Sequence, residues 1–193
     1  MLRSRAALLT AAVRLVSERG TTDIPVTDIA DAANVSRQLI YLQFGDRDAL
    51  LIAAAVDLVG RELVHHDKHG LEAQRPRALA TARHFAKHRS FYRPMLTGSC
   101  AFAMTRTLGS AFSSFTRQSV RELFGELDRK TMQDMTAFVA AGSAAIINNW
   151  LIDGNDPLDP EDIADRLIGI AGVFAGRQPV RMPRARRVRK EKS

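Results

Sequence analysis

The stretch Val26–Phe44, VTDIADAANVSRQLIYLQF, decides how this chain is read. At helical spacing it is two short helices joined by a tight turn. Ile29 and Ala33 give the first helix an apolar face, with the small Ala30 beside them. Asn34 stands where the chain must turn sharply, and Asn tolerates positive φ better than any residue except Gly. Val35 plugs the turn. Ser36 is then placed to cap a second helix by accepting from the backbone N–H of Leu39. Ile40 and Phe44, four apart, point that helix's buried face back at the first. Arg37, Gln38 and Tyr41 share the opposite face. An exposed cluster of donors on a short, rigidly held helix is what reading a major groove requires.

Upstream, Leu8, Leu9, Ala12, Leu15 and Val16 form one amphipathic stripe that would roof this pair, and Gly20 ends the helix as a left-handed cap. Met1–Val13 has the charge and apolarity of a signal peptide, but Arg14, Glu18 and Arg19 continue the helical pattern and no cleavage site follows. Thr21–Pro25 links the two units, with Pro25 suited to a helix's first turn. Downstream, Asp46 is a good N-cap for a periodic run from Arg47 to about His66. That run carries Leu50, Leu51, Ala54, Val56, Leu58, Val59 and Leu63 and reads as a connector to a second unit.

The set AALLTAAVRLVSERG, VTDIADAANVS and IYLQFGDRDALL, spread over residues 3–60, resembles the DNA-binding domain of the TetR family of bacterial transcriptional regulators. Three positions depart from that family's pattern: Pro25 where Thr is usual, Asn34 where Gly is usual, and Leu42 where His is frequent. Pro25 removes a hydroxyl that caps and touches phosphate in the family. Leu42 loses a polar phosphate contact but can meet a thymine methyl. The resemblance implies base-edge contacts from Arg37 and Gln38. It implies phosphate contacts from Tyr41, Gln43 and Arg47, with Ser36 and Thr27 as additions.

Residues 70–176 are helical and less diagnostic. Helices are expected over Pro76–His88, in a short piece broken near Pro94 and Gly98, and over Thr105–Leu127 and Thr131–Ile152. A last one opens at Asp162 or nearby. Thr131–Ile152 is apolar almost all round, with a small-residue middle, AAGSAA, so it needs partners on more than one side. The resemblance implies that this helix and the last one pair with their copies in a homodimer, through Val139, Gly142, Ile146, Ile163, Leu167, Ile170 and Phe174. It also implies a cavity for a small-molecule effector, with Phe102, Met104, Phe112, Phe115, Met135, Phe138 and Trp150 as its candidate lining. The same side chains would equally fill a core.

Charge and chemistry narrow the function classes. Formal net charge is +7, yet residues 177–193 alone carry +7 and residues 1–176 balance to zero. The basic tail therefore reads as a disordered segment with a weak, non-specific affinity for phosphate. Residues 1–47 hold six Arg against five acids, so bulk charge supplies little attraction to DNA. That keeps a second reading open, a helical ligand-binding or interaction protein that lost DNA recognition. Cys100 is the only cysteine, which excludes an intrachain disulfide and suits a reducing cytoplasm. His65, His66 and His69 form one cluster and His84 and His88 another. With no Cys, Asp or Glu completing either pattern, no metal site is expected. No nucleophile elbow or phosphate-binding loop is present, so no enzyme and no cofactor is expected. No apolar run of 18 residues is seen, so no membrane partner is expected either.

The expected architecture is all-α. A three-helix helix-turn-helix domain (1–47) is joined by a connector helix (about 47–66) to a helical effector-binding and dimerisation domain (48–176), followed by the tail (177–193). The expected partners are double-stranded DNA, a second copy and an unknown small molecule.

Overall fold

The computed structural model describes residues 2–63, 74–174 and 176. Ten α-helices and no strand lie among them: α1 Leu2–Arg19, α2 Val26–Ala32, α3 Arg37–Phe44, α4 Arg47–Leu63, α5 Gln74–Lys87, α6 Arg89–Thr97, α7 Ala101–Ala111, α8 Ser113–Phe124, α9 Arg129–Asp153 and α10 Pro160–Phe174. The all-α expectation is met. The distal end of the connector, with His65, His66 and His69, and the basic tail lie outside the described residues.

The first three helices are built by local chemistry. Gly20 ends α1 at φ 64, its N–H bonded to the Val16 carbonyl at 2.9 Å. Pro25 precedes α2, and its carbonyl accepts from Asp28 and Ile29. Asn34 sits at φ 53, the one non-glycine positive φ among the described residues, while the Val35 N–H returns to the Ala30 carbonyl. A left-handed L-residue costs roughly 1–2 kcal/mol unless its side chain tolerates the conformation, as Asn does. Replacing Asn34 with Val is therefore expected to lower stability by about that amount, whereas Asn34→Gly leaves the melting temperature unchanged or raised. Equal melting temperatures for the two variants would show that the turn is not held in this conformation.

One cap differs from the sequence expectation. Ser36 occupies the N-cap of α3, but its hydroxyl makes no capping bond; the Leu39 N–H donates to the Ser36 carbonyl at 3.1 Å instead. The hydroxyl is thereby left exposed and available to another partner. Asp46 behaves as expected, accepting from the Ala49 N–H at 2.7 Å to start α4. In α9 the cap is Asp128, which accepts from Lys130 and Thr131, and in α10 it is Asp159, which accepts from Glu161 and Asp162. The last helix thus opens at Pro160, before Asp162.

Two further boundaries shift. The run expected as one helix over Thr105–Leu127 is two, α7 and α8, separated at Phe112. Pro94 lies inside α6 rather than ending it, and the helix stops where the Gly98 N–H bonds to the Pro94 carbonyl. Gly98 then packs against the buried Thr22, and a Cβ at position 98 would overlap the Thr22 hydroxyl. This contact seats the α1–α2 loop on the body of the molecule.

Helix α1 packs on α2, α4 and α6; α4 packs on α3 and α7; α5 lies along α10, and α8 along α9. One apolar core runs from Leu8 in α1 through Leu51 and Leu58 in α4, Phe91 and Tyr92 in α6, to Leu151 and Ile163. That core joins α4 to the C-terminal helices without a break. Helix α9 is long and apolar enough, by length and composition, to cross a membrane, which corrects the expectation that no such segment exists. Its two sides face different surroundings: Ala140, Ser143, Ala144 and Ile147 line an internal cavity, and Phe138, Gly142 and Ala145 are exposed.

Candidate functional site

Helix α3 is held from behind and open in front. Ile40 is completely buried, and Leu39 and Phe44 pack against the same core. Arg37, Gln38, Tyr41 and Leu42 are exposed, with Tyr41 at 55% and Leu42 at 75% of their free surface. An aromatic and a leucine uncovered on a polar helix face cost solvation in the free protein and are suited to an outside surface. Thr27 is also exposed, its hydroxyl turned to Asp28 at 3.3 Å. Gln43 and Arg47, the other two residues expected at phosphates, make contacts within the protein. Gln43 is half-buried, with its carbonyl oxygen enclosed. The Arg47 guanidinium is engaged by Asp23 at 2.8 Å and Asp48 at 3.0 Å, and these carboxylates hold it above its usual range, Asp48 most of all. Arg47 thereby ties the loop before α2 to the start of α4. The Arg5 guanidinium lies 4.5 Å above the Phe44 ring and steadies the helix's end. Arg19 and Asp28 join α1 to α2 at 2.6 Å.

The second candidate site is a partly open cavity of about 200 Å³ lined from α5, α6, α7, α8, α9 and α10. Its wall is apolar for most of its area, with Phe85, Met104, Leu108, Phe112, Ile147 and Leu167 as the larger side chains. At one end Arg77 and Glu122, 5% and 8% exposed, form an ion pair at 2.7 Å, and Gln118 donates to the same carboxylate at 3.0 Å. The Gln74 amide nitrogen, also in this wall, is enclosed without a hydrogen-bond partner. A cavity with apolar walls and one charged, hydrogen-bonding end suits a small amphipathic molecule.

The sequence reading placed this lining only in part. Met104 and Phe112 are in the wall, as expected. Phe102 is 81% exposed, Phe138 is 58% exposed on the far side of α9, and Met135 is half-buried outside the wall. Trp150 is buried in the core beneath the cavity without lining it. Nothing is described for the Phe115 side chain. Conversely Val139, Ile163 and Leu167, expected at a dimer interface, face the cavity, and Ile163 is fully buried. Ile146 packs against the monomer's own core. The remaining interface candidates lie at the surface: Gly142 is exposed, and Ile170 and Phe174 are 42% and 51% exposed. Phe138 and Phe174 meet edge to face at 5.7 Å, joining α9 and α10 into one outer apolar face with Val173. The contribution of α5 to the cavity went unread because Arg77 finds Glu122 only across 45 residues of chain.

Between the two sites, at the end of α4, Glu62 gathers His84 and Lys87 from α5 and His88 from the N-cap of α6. It accepts from His84 Nδ1 at 2.9 Å, Lys87 at 3.0 Å and His88 Nε2 at 2.9 Å, and the Tyr92 hydroxyl lies 2.8 Å from His84 Nε2. The expectation that no acid joins the His84/His88 pair is thus overturned, because α4 and α5 pack together. Burial opposes the Glu62 charge, but the hydrogen bonds from His84, Lys87 and His88 outweigh it and draw the carboxyl down to about 2. Burial lowers His84 below its usual value, against the pull of Glu62. Neutral His84 therefore donates from Nδ1 to the carboxylate and accepts the Tyr92 proton at Nε2. Both groups have folded values below their unfolded ones, so the unfolded chain binds more protons and stability falls as pH falls. For His84 the loss begins below 6.5, and for Glu62 it extends from 4.5 towards 2. In chelator, melting temperature is expected to decline as pH is lowered from 6.5, with a smaller decline in His84→Gln. A pH-independent wild-type melting temperature across this range would contradict the network.

Residues 8–54 match the family model described as bacterial regulatory proteins, tetR family. The HTH-type transcriptional regulator BetI of Rhizobium meliloti (strain 1021) is 39% identical over 57 residues, which is 30% of this chain and 28% of that protein. BetI of Brucella canis is also 39% identical, over 62 residues and 31% of each chain. The matched stretch spans less than a third of these relatives. Among solved structures, the dihydroxyacetone kinase operon activator DhaS has a TM-score of 0.66 at 16% identity, covering 91% of this chain and 98% of its own. Thermus thermophilus FadR, a TetR-family repressor in complex with lauroyl-CoA, has a TM-score of 0.64 at 19% identity, covering 94% and 98%.

Proposed function

We propose that this chain, whose residues 8–54 match the model of the TetR family of bacterial regulatory proteins and whose body shares its fold with solved members of that family, is a transcriptional regulator that binds a palindromic operator as a homodimer and is released by a small-molecule effector. It works in the cytoplasm as a repressor and not as an enzyme. The observation that carries this reading is the open face of α3, where Arg37, Gln38, Tyr41 and Leu42 stand uncovered above a fully buried Ile40. Arg37 and Gln38 read base edges, Leu42 meets a thymine methyl, and Tyr41, Ser36 and Thr27 fix register on phosphates. Gln43 and Arg47 support the helix from inside.

The effector occupies the cavity with its polar end beside Arg77 and Gln74 and the remainder against the apolar wall. Filling it presses on α5 and α7, both packed against α4. A shift of α4 then changes the spacing of the two reading helices. A coupling of about 1–3 kcal/mol corresponds to a 5- to 150-fold change in operator affinity.

Dimerisation uses the outer face of α9 and α10, centred on Phe138, Gly142, Ile170, Val173 and Phe174. A buried charge there has no partner across a two-fold axis, so Phe174→Asp is expected to sediment as a monomer while keeping its helical content. A Phe174→Asp chain that remains fully dimeric at micromolar concentration would move the interface elsewhere.

Selection of bound DNA from a random pool with the full chain tests the function directly. The expected product is a two-fold symmetric site whose affinity falls steeply with salt, with a slope of about 0.9 per neutralised phosphate. A pool that yields no enriched sequence would instead favour a ligand-binding protein without DNA recognition, the reading suggested by the near-neutral first 47 residues.

A further inference from the structure

We infer that Glu62, His84 and His88 form a binding site for a zinc-class divalent metal ion that ties the end of α4 to α5. Donor atoms from these three side chains all lie within 4.8 Å of one another, and the two imidazole–carboxylate distances are 2.9 Å. In a tetrahedral site with bonds of about 2.0–2.1 Å, neighbouring donors stand a little over 3 Å apart, so small side-chain rotations open the cluster around an ion. Two nitrogens and one carboxylate oxygen are a donor set used for zinc and similar borderline metals, leaving a fourth position for water or another ligand.

The protonation states suit ligation. The Glu62 carboxyl is held down to about 2 and is ionised at neutral pH, and burial keeps His84 in the neutral form that binds metal. A metal on His84 Nδ1 shifts the ring proton to Nε2, which then donates to the Tyr92 hydroxyl 2.8 Å away. Tyr92 is completely buried and fixes the ring from outside the ligand shell, the arrangement that orients metal-bound histidines generally. The one cation in the cluster, Lys87, bonds Glu62 at 3.0 Å, but its side chain is 65% exposed and can swing into water when an ion takes the carboxylate. Glu62 lies in the last turn of α4, His84 in the last turn of α5 and His88 at the N-cap of α6, so occupancy cross-links α4 to the junction of α5, which walls the cavity, with α6.

The test uses the full chain, stripped with chelator and titrated with Co²⁺ followed by visible absorption, then with Zn²⁺ in competition. One ion per chain is expected, with a rise in melting temperature as metal is added. Glu62→Gln and His88→Gln should each weaken binding by about 10-fold or more. Lys87→Met, which removes the competing cation, should bind at least as tightly as wild type. Replacing His65, His66 and His69 together with Asn should leave affinity unchanged. Absence of saturable binding at micromolar metal would overturn the proposal, as would wild-type affinity in Glu62→Gln and His88→Gln. Loss of the ion in the triple Asn variant would assign it to that cluster instead.

Discussion

Replacing Arg37 with Ala is expected to weaken binding to the selected operator by about 30-fold at least and by up to about 10⁴-fold. Each good bidentate side chain–base contact discriminates by about 1–3 kcal/mol, and a symmetric dimer loses it in both half-sites, about 2–6 kcal/mol together. Arg37 sits at the first position of α3 and is exposed. The loss should be largest on the preferred sequence and small on random DNA, because only base readout is removed. Gln38→Ala should act in the same way. Tyr41→Phe deletes only a hydroxyl, so it should weaken all sequences alike and leave their ranking intact. Competition titrations on the selected site and on scrambled DNA separate the two patterns. An Arg37→Ala dimer that keeps wild-type preference would remove α3 from the role of reader.

Replacing Arg77 with Met is expected to destabilise the protein by about 3–5 kcal/mol, because it leaves the Glu122 carboxylate buried without its cation. For a domain of this size that corresponds to a fall in melting temperature of about 6–20 °C. The double change Arg77→Met with Glu122→Leu removes both charges and should recover most of the loss, since a well-packed apolar pair of similar volume is often no worse than a buried ion pair. Thermal unfolding of the two variants decides it. If the single and double variants melt together, the destabilisation comes from packing and not from an orphaned charge. The pair also bears on effector choice: the double variant should retain a purely apolar ligand and lose one that needs the polar end.

Helical periodicity and capping chemistry made the N-terminal unit legible. The left-handed turns at Gly20 and Asn34, the Asp46 cap and the buried Ile40 all follow from residues within a few positions of one another. The body was legible as helices but not as a site. Apolar residues on α7, α9 and α10 announce burial without saying which of two apolar surroundings each meets. So Ile163 and Leu167 were assigned to an interface and face a cavity, and Phe138 was assigned to a cavity and faces outward. The engagement of Arg47 by Asp23 was illegible for a related reason, because the two lie 24 residues apart in the chain.

What the sequence by itself determined is the N-terminal helix pair: its left-handed turn at Asn34, its buried Ile40 and the exposed Arg37, Gln38 and Tyr41 on the opposite face. These are local properties, settled over separations of about four residues, where backbone hydrogen bonds and helical period dictate the outcome. Only the tertiary structure decided how the remaining helices share their faces. It brought Arg77 to Glu122 and Glu62 to His84 and His88, and it split α9 between a cavity and an outer surface. Those pairings depend on which helices lie side by side, and hydrophobic burial, being non-directional, leaves no mark of that choice in the order of residues.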